Sequence, residues 1–387
     1  MFGKYAVIFQ VIGGSLKIIP VAAWDEIHIF LTSFTKIRWP LNISLQLLIL
    51  WQIYMILVAF IGGYGSSIVF YRYGLVFVSL FLLRNYYRRL LSEGTSNAFI
   101  IVGFSYIIIC SMLYFLGFYL KLPVAWWQEW LWVGTTYSAY VIYIIVALSI
   151  ILSNSLKVRF SLFVLAYLAA INMDSRLTIM LITSLVPFIG FGLVKRKKVG
   201  LTSAKILQNL TYFIFTVIIA YNVFANKEMI ENQFLQVDKT IQELLSEDQN
   251  DRDGDRKNNI RAITSLAEDD TLNFIIGTGL TSHQHELSAY LPTGYNGKVR
   301  PTGIAAVVFD GGVVYFLIIV LCAASSFLKV YKYARLRLIP LWIFILWATV
   351  IFNSVTILFV VNTTDLMLWW AVILSGAILT KNQIIKL

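Results

Sequence analysis

Three histidines occur in the 387 residues, and two of them, His283 and His285, stand two positions apart in one polar stretch. An imidazole titrates near neutrality, so either could take a proton from a hydroxyl group. The pair could also hold a metal ion with Glu286 as the one further ligand close in sequence, or be solvated and without a role. Arginines supply a second chemistry. Arg176 ends an Asp174-Ser175-Arg176 turn, Arg256 and Arg261 precede and enter an apolar-periodic segment, and Arg300 stands immediately before an apolar run. A guanidinium presents a planar fork of donors that matches phosphate oxygens. For each one, snorkelling at a membrane interface or a salt bridge to a nearby acid is the competing reading. Arg72 and Asp310 lie several residues inside apolar segments, where charge is costly and tends to serve function. Asp310, in Phe309-Asp310-Gly311-Gly312, would pair with an arginine or mark a helix break lining a cavity. Gly277-Thr278-Gly279 follows no strand of a βαβ unit, so it is a tight backbone turn rather than a dinucleotide site.

The elements that must carry these residues are apolar. Apolar and aromatic residues make up 59% of the chain and charged residues 13%, about half the charged fraction of a soluble domain. This excludes a soluble enzyme, a disordered chain and a secreted disulfide scaffold. Helical spans of about 20 residues are expected at 42–63, 66–82, 97–118, 134–153, 158–173, 177–194, 204–224, 302–325, 339–357 and 362–379. No period-2 alternation supports a barrel. The first 35 residues read as one more span or an in-plane helix. The expected fold is therefore an all-α polytopic membrane protein with about 10–12 transmembrane helices. It divides into an N-terminal bundle (1–224), a long loop (225–301) and C-terminal helices (302–387). Cys110 and Cys322 sit singly in apolar runs and read as buried, inert thiols.

Charge sets the orientation. Between Val223 and Arg300 there are 13 acidic and eight basic residues, a balance of −5, whereas the remainder carries +16. Basic clusters at Lys36/Arg38, Arg84–Arg89, Lys157/Arg159, Lys195–Lys198, Lys329–Arg337 and Lys381–Lys386 fall at every second connection. The positive-inside rule makes these cytoplasmic. The long acidic loop and Arg176 then share the opposite, non-cytoplasmic face; the family resemblance given below implies that this is the periplasmic face of a bacterial inner membrane. The basic excess belongs to membrane topology, and no soluble segment is basic enough to read nucleic acid. The tryptophans at 126–132 and 369–370 read as interface belt residues.

Inside the long loop, Ile230, Phe234, Val237, Ile241 and Leu244 predict an amphipathic helix, and Ile260, Ile263 and Leu266 a second, shorter one. The polar stretch 249–259 between them reads as a solvated turn. Its Asp251-Arg252-Asp253-Gly254-Asp255 run invites a calcium-loop reading, but the EF-hand register would put Gln249 first and Ile260 last, which fails.

This ordered set resembles the O-antigen polymerase and O-antigen ligase superfamily. The matching pieces are Asp174-Ser175-Arg176, Arg261 with fifteen residues between it and Gly277, Gly277-Thr278-Gly279, and Arg300-Pro301-Thr302-Gly303-Ile304 through Phe309-Asp310-Gly311-Gly312. The Trp24-Asp25-Glu26-Ile27 stretch is similar to the family's N-terminal region. The resemblance implies a GT-C-like glycosyltransferase that takes a glycan from undecaprenyl diphosphate, without a metal or other cofactor. Arg176 and Arg261 would contact the diphosphate, with Arg256 as the fallback for Arg261 and Arg72 as a secondary candidate. Asp310, Gly277 and Gly279 would support the site. Ligases of the family carry a histidine shortly before the glycine-paired span. Here Arg300 takes that place and the histidines stand earlier, so the base is open among His283, His285 and Arg300.

The departure tilts the expectation towards a repeat-unit polymerase over a ligase acting on lipid A core. Implied partners are an undecaprenyl-diphosphate-linked oligosaccharide, membrane lipid, a chain-length regulator and a flippase. A lipid-glycan flippase is the alternative from another class, suggested by the many spans and by intramembrane Arg72, Asp310 and Asp365.

Overall fold

The computed structural model describes residues 42–63, 95–114, 136–153, 155–172, 176–190, 254–291, 301–359 and 367–375. Every regular element among them is helical. They are α1 (Ile43–Ile61), α2 (Thr95–Tyr114), α3 (Thr136–Leu152), α4 (Leu156–Asn172), α5 (Arg176–Thr183), α6 (Gly254–Asp269), α7 (Thr271–Ile276), α8 (Gly303–Arg335), α9 (Leu341–Thr356) and α10 (Met367–Ile373), with short 3₁₀ turns between. Among the described residues three helices are long and apolar enough to cross a membrane: α1, α8 and the continuous stretch Leu341–Phe359. Shorter apolar helical stretches run over Gly103–Met112, Ser138–Leu152 and Leu177–Phe188. The expected spans at 66–82 and 204–224, the loop helix over 230–244, the tryptophans at 126–132, the first 35 residues, Arg72, Arg300 and Asp365 lie outside the described residues.

α3 is the centre of one half. Ala139 to Ala147 are all buried, as expected of a helix that is apolar on every side. α2, α4 and α5 pack around it, and α9 links it to α8, which in turn packs on α1 and α10. Where α3 does carry polar atoms, they are paired. Tyr140 Oη and Ser354 Oγ are 2.6 Å apart, and Asn353 Nδ2 donates to Tyr143 Oη at 2.9 Å and to Ser184 Oγ at 3.1 Å. Apolar surroundings leave such groups no other partner, so they lock the helices in register.

Several sequence expectations change here. Trp369 and Trp370 are not belt residues, since both are buried in the core. The Trp369 indole N–H donates to Ser354 O at 2.7 Å, which satisfies its polar edge inside the bundle. The basic run from Lys329 is no connecting loop up to Arg335, because α8 continues that far. Cations in its last turn suit the negative end of the helix dipole. Residues 254–259 are not a solvated turn either; they form the start of α6. Their polarity hid the helix because no apolar period marks them, yet Asn259 is fully buried and accepts from Thr302 N–H at 3.0 Å. Cys110 and Cys322 are buried and free, as expected.

Arg159 is a further correction. Part of a basic cluster expected in a cytoplasmic connection, it is 3% exposed. Its Nε–H donates to Ser153 O at 2.9 Å and its Nη1–H to Ile189 O at 3.3 Å. The guanidinium also lies over the Trp342 ring, 5.9 Å from the centroid. One side chain therefore ties the end of α3, the turn after α5 and the start of α9. Arg159→Leu should cost about 2–3 kcal/mol, the range for losing a buried charge-assisted hydrogen bond. The check is thermal unfolding of the detergent-solubilised protein, where an unchanged midpoint would remove the proposed tie.

Candidate functional site

α8 is 33 residues long and is broken at Gly312, whose φ of 71° and ψ of −179° are not helical. The part after the break, 313–335, is about 34 Å long and by itself spans an apolar layer of about 30 Å. The part before it, Gly303–Gly311, is then free to join the loop structure. Met55 and Ala59, near the α1 terminus that ends at Ile61, pack beside the break.

The break also releases backbone carbonyls. An unbroken helix would use Phe309, Asp310 and Gly311 C=O for the N–H groups of residues 313–315. Here other donors take them. Thr278 N–H donates to Phe309 O at 2.9 Å and Gly279 N–H to Asp310 O at 3.0 Å. The Trp51 indole N–H donates to Gly311 O at 2.8 Å. Leu280 N–H reaches Met55 O of α1 at 3.0 Å. The Gly277-Thr278-Gly279 segment is thus laid into the gap between α1 and the broken α8.

Glycine is required at three of these positions. A Cβ on Gly277 would stand 2.5 Å from Asp310 O, and one on Gly279 would stand 2.6 Å from Ala59 N. One on Gly312 would overlap the Ile275 carbonyl. Gly277 and Gly279 also have φ of 78° and 110°, values that L side chains rarely adopt.

This docking presents His283 to Asp310. The His283 Nδ1 lies 2.8 Å from Asp310 Oδ1, and the His283 backbone N–H donates to the same oxygen at 3.1 Å. The two side chains are 2% and 7% exposed. A carboxylate oxygen only accepts, so Nδ1 carries the hydrogen and Nε2 presents its lone pair. No described residue partners Nε2. The one fully buried side-chain polar atom without a partner among the described residues is Asn258 Nδ2. The hydroxyl of Ser282 reaches Phe309 O at 3.0 Å and Asp310 Oδ1 at 3.2 Å. Serine and histidine share one carboxylate oxygen, so this is no serine nucleophile poised on a histidine base. The arrangement can instead hold one imidazole in a single orientation and tautomer, ready to accept a proton.

A small core holds the neighbouring helix against the same segment. Ala262 and Leu266 of α6 pack with Leu287, Ala305, Val308 and Phe309, and the Tyr290 ring lies 5.7 Å from that of Phe309. Burial, followed by the charges of Asp270, Glu286 and Asp269, pushes the Tyr290 phenol above its usual range, so it stays a neutral donor. Arg261 lies on this helix, partly exposed. No carboxylate among the described residues pairs with it, despite the acids of the loop.

The other described sequence candidates lie outside this contact. His285 is exposed and outside the His283–Asp310 contact. The backbone of Arg256 lies in the first turn of α6. Arg176 opens α5, whose principal packing is on α3 and α4, away from the loop helices. Asp310 pairs with a histidine rather than an arginine. It sits at a helix break beside the last turns of α1, not within a continuous span. Sequence reasoning named both residues of the pair but not their pairing. A lone acid placed shortly after a loop histidine was the available signal. No family model matches the chain, and neither a curated protein nor a solved structure shows significant similarity to it.

Proposed function

We propose that the chain is a glycan repeat-unit polymerase acting on polyprenyl-diphosphate-linked donors at the periplasmic side of a bacterial inner membrane. The observation that carries this reading is the His283–Asp310 pair. It is a buried, oriented imidazole whose Nε2 has no partner among the described residues, placed where a loop meets a broken helix of an apolar bundle. Chemistry at the edge of a membrane on a substrate with a lipid tail needs such a placement. Arg261 on the adjoining α6, which no carboxylate among the described residues pairs with, supports it further, because a leaving diphosphate needs a cation that is not already neutralised.

In the reaction the hydroxyl of an incoming lipid-linked repeat unit attacks the anomeric carbon of the growing glycan. The new C–O bond forms as the bond to the diphosphate oxygen breaks. The hydroxyl proton passes to His283 Nε2, and the electron pair leaves on the diphosphate, facing Arg261. Diphosphate is a good leaving group, so orientation and modest proton removal are the protein's main tasks.

The test is to give the purified full-length protein a lipid-diphosphate repeat unit and resolve the products by size. A ladder is expected. Arg261→Ala should weaken it by about a hundredfold, the scale for removing one charge-stabilising group. Movement of intact labelled lipid across a vesicle bilayer, with no ladder, would instead identify a flippase.

A further inference from the structure

Nearly all buried polar groups in the described parts of this protein are satisfied. The tyrosines and serines of the bundle, the core tryptophans, Arg159, Thr302 and Asp310 all have partners at ordinary distances. Asn258 stands apart. It is 3% exposed, and its Nδ2 is the one fully buried side-chain nitrogen or oxygen without a partner among the described residues. Its carbonyl oxygen is not among the fully buried unpaired atoms; exchanging the amide nitrogen and oxygen would bury an unpaired acceptor in place of the unpaired donor. A buried amide without a partner costs stability, and a folded chain that keeps one calls for a reason.

The surroundings of Asn258 are rigid. The next residue, Asn259, is fully buried and accepts from Thr302 N–H at 3.0 Å, which pins this turn of α6 to the start of α8. Ala262 and Leu266 continue the same contact into the core beside Phe309. Asn258 is therefore held in place and does not depend on a mobile surface to find a partner. One turn on, at i+3 and on the same side of the helix, stands Arg261. Its guanidinium likewise has no partner among the described residues. Two donors without acceptors on one side of a pinned helix call for one ligand rich in acceptor oxygens. Because one of the two is a permanent cation, that ligand is an anion. From Thr302 to Asp310 is about 12 Å along α8. An extended arginine side chain and a sugar ring together bridge such a distance.

We infer that Asn258 and Arg261 form a two-donor site for a phosphate oxygen of the lipid-diphosphate donor, with Asn258 as a positioning residue that the protein retains at the expense of its own stability. This rests on the polymerase reading for the identity of the lipid and on the structure for the site itself.

The experiment measures binding, not turnover, on the full-length protein in nanodiscs. The probes are polyprenyl diphosphate, polyprenyl monophosphate and inorganic pyrophosphate. The proteins are the wild type, Asn258→Leu, Asn258→Asp and Arg261→Gln. The site predicts opposite movements in Asn258→Leu. Ligand-free thermal stability rises or holds, because an unpaired buried donor is gone. Affinity for polyprenyl diphosphate falls about tenfold, the scale of one lost hydrogen bond to a charged group. Asn258→Asp brings a carboxylate against the anion and should weaken binding more than Asn258→Leu does. Arg261→Gln tests the same site if either Asn258 variant fails to fold, and should also lose at least tenfold. Pyrophosphate binding with the same variant pattern would assign the site to the phosphate group itself. Binding of the lipid alone would assign it to the lipid-borne diphosphate.

Unchanged lipid and pyrophosphate affinity in Asn258→Leu would overturn the proposal and leave an internal water as the partner of Asn258. A wild type that binds the diphosphate but makes no ladder would sink the polymerase reading and leave this site standing. A wild type that makes a ladder while Asn258→Leu binds normally would do the reverse.

Discussion

His283→Ala is expected to lower glycan polymerisation by about a hundredfold to ten-thousandfold, the usual range for deleting a positioned proton acceptor. The reason is geometric. Nδ1 is held 2.8 Å from Asp310 Oδ1, which leaves Nε2 as the only ring nitrogen able to take a proton. Alanine removes that lone pair and leaves the carboxylate with the Ser282 hydroxyl and the His283 backbone N–H as donors. The assay compares ladder length and rate in purified protein, with the amount of folded protein measured alongside. Asp310→Asn should act in the same sense but less completely. An amide can hold the ring in either tautomer, and one of them puts the hydrogen on Nε2. The exposed His285 provides the contrast, and His285→Ala should leave the ladder intact. Normal ladders from His283→Ala at equal protein levels would remove this histidine from the chemistry.

The second large effect concerns Gly312. Gly312→Ala should destabilise the protein by about 2–4 kcal/mol, combining the penalty for a side chain at positive φ with that for forcing a methyl into a packed contact. Its φ is 71°, and a Cβ there would overlap the carbonyl of Ile275 at the end of α7. Relief would require straightening α8 or lifting α7 and the Gly277-Thr278-Gly279 segment away. Either movement takes His283 off Asp310, so activity should fall with stability. Gly63→Ala is the built-in control. Gly63 has nearly the same φ, 72°, but nothing within 4 Å of its would-be Cβ. It should cost about 1 kcal/mol, the backbone term alone. Equal shifts in melting midpoint for the two variants would show that close approach at the break contributes nothing.

How far the sequence reached can be judged residue by residue. Apolar runs placed α1, α3 and α9 to within a few residues, because a long helix in an apolar medium leaves its mark on every position. They matched the start of α8 but failed at its C-terminal end. The charges of Lys329 to Arg335 looked like a loop, although a helix terminus accommodates them. The start of α6 was invisible for the opposite reason, since Asn258 and Asn259 are polar residues that fold inward. Arg159 and the pair Trp369–Trp370 carried the composition of an interface. Their hydrogen-bond partners, on other helices, decide that they are core. Among candidate site residues, rarity singled out His283, and misplacement in an apolar run singled out Asp310. Neither signal says which two residues meet.

The sequence by itself determined that this chain is helical and apolar enough to enter a membrane. It also placed the scarce polar chemistry in one late loop and its borders, because composition and periodicity act locally and are additive. The tertiary structure alone decided that α8 breaks at Gly312 and that three freed carbonyls receive Thr278, Gly279 and Trp51. It alone decided that Asp310 holds His283 while Asn258 Nδ2 and Arg261 have no partner among the described residues. The physical reason is that a hydrogen bond or a Cβ clash depends on which distant backbone arrives at a given point. No local pattern records that, and only the packing of the loop between α1 and the broken helix brings these atoms together.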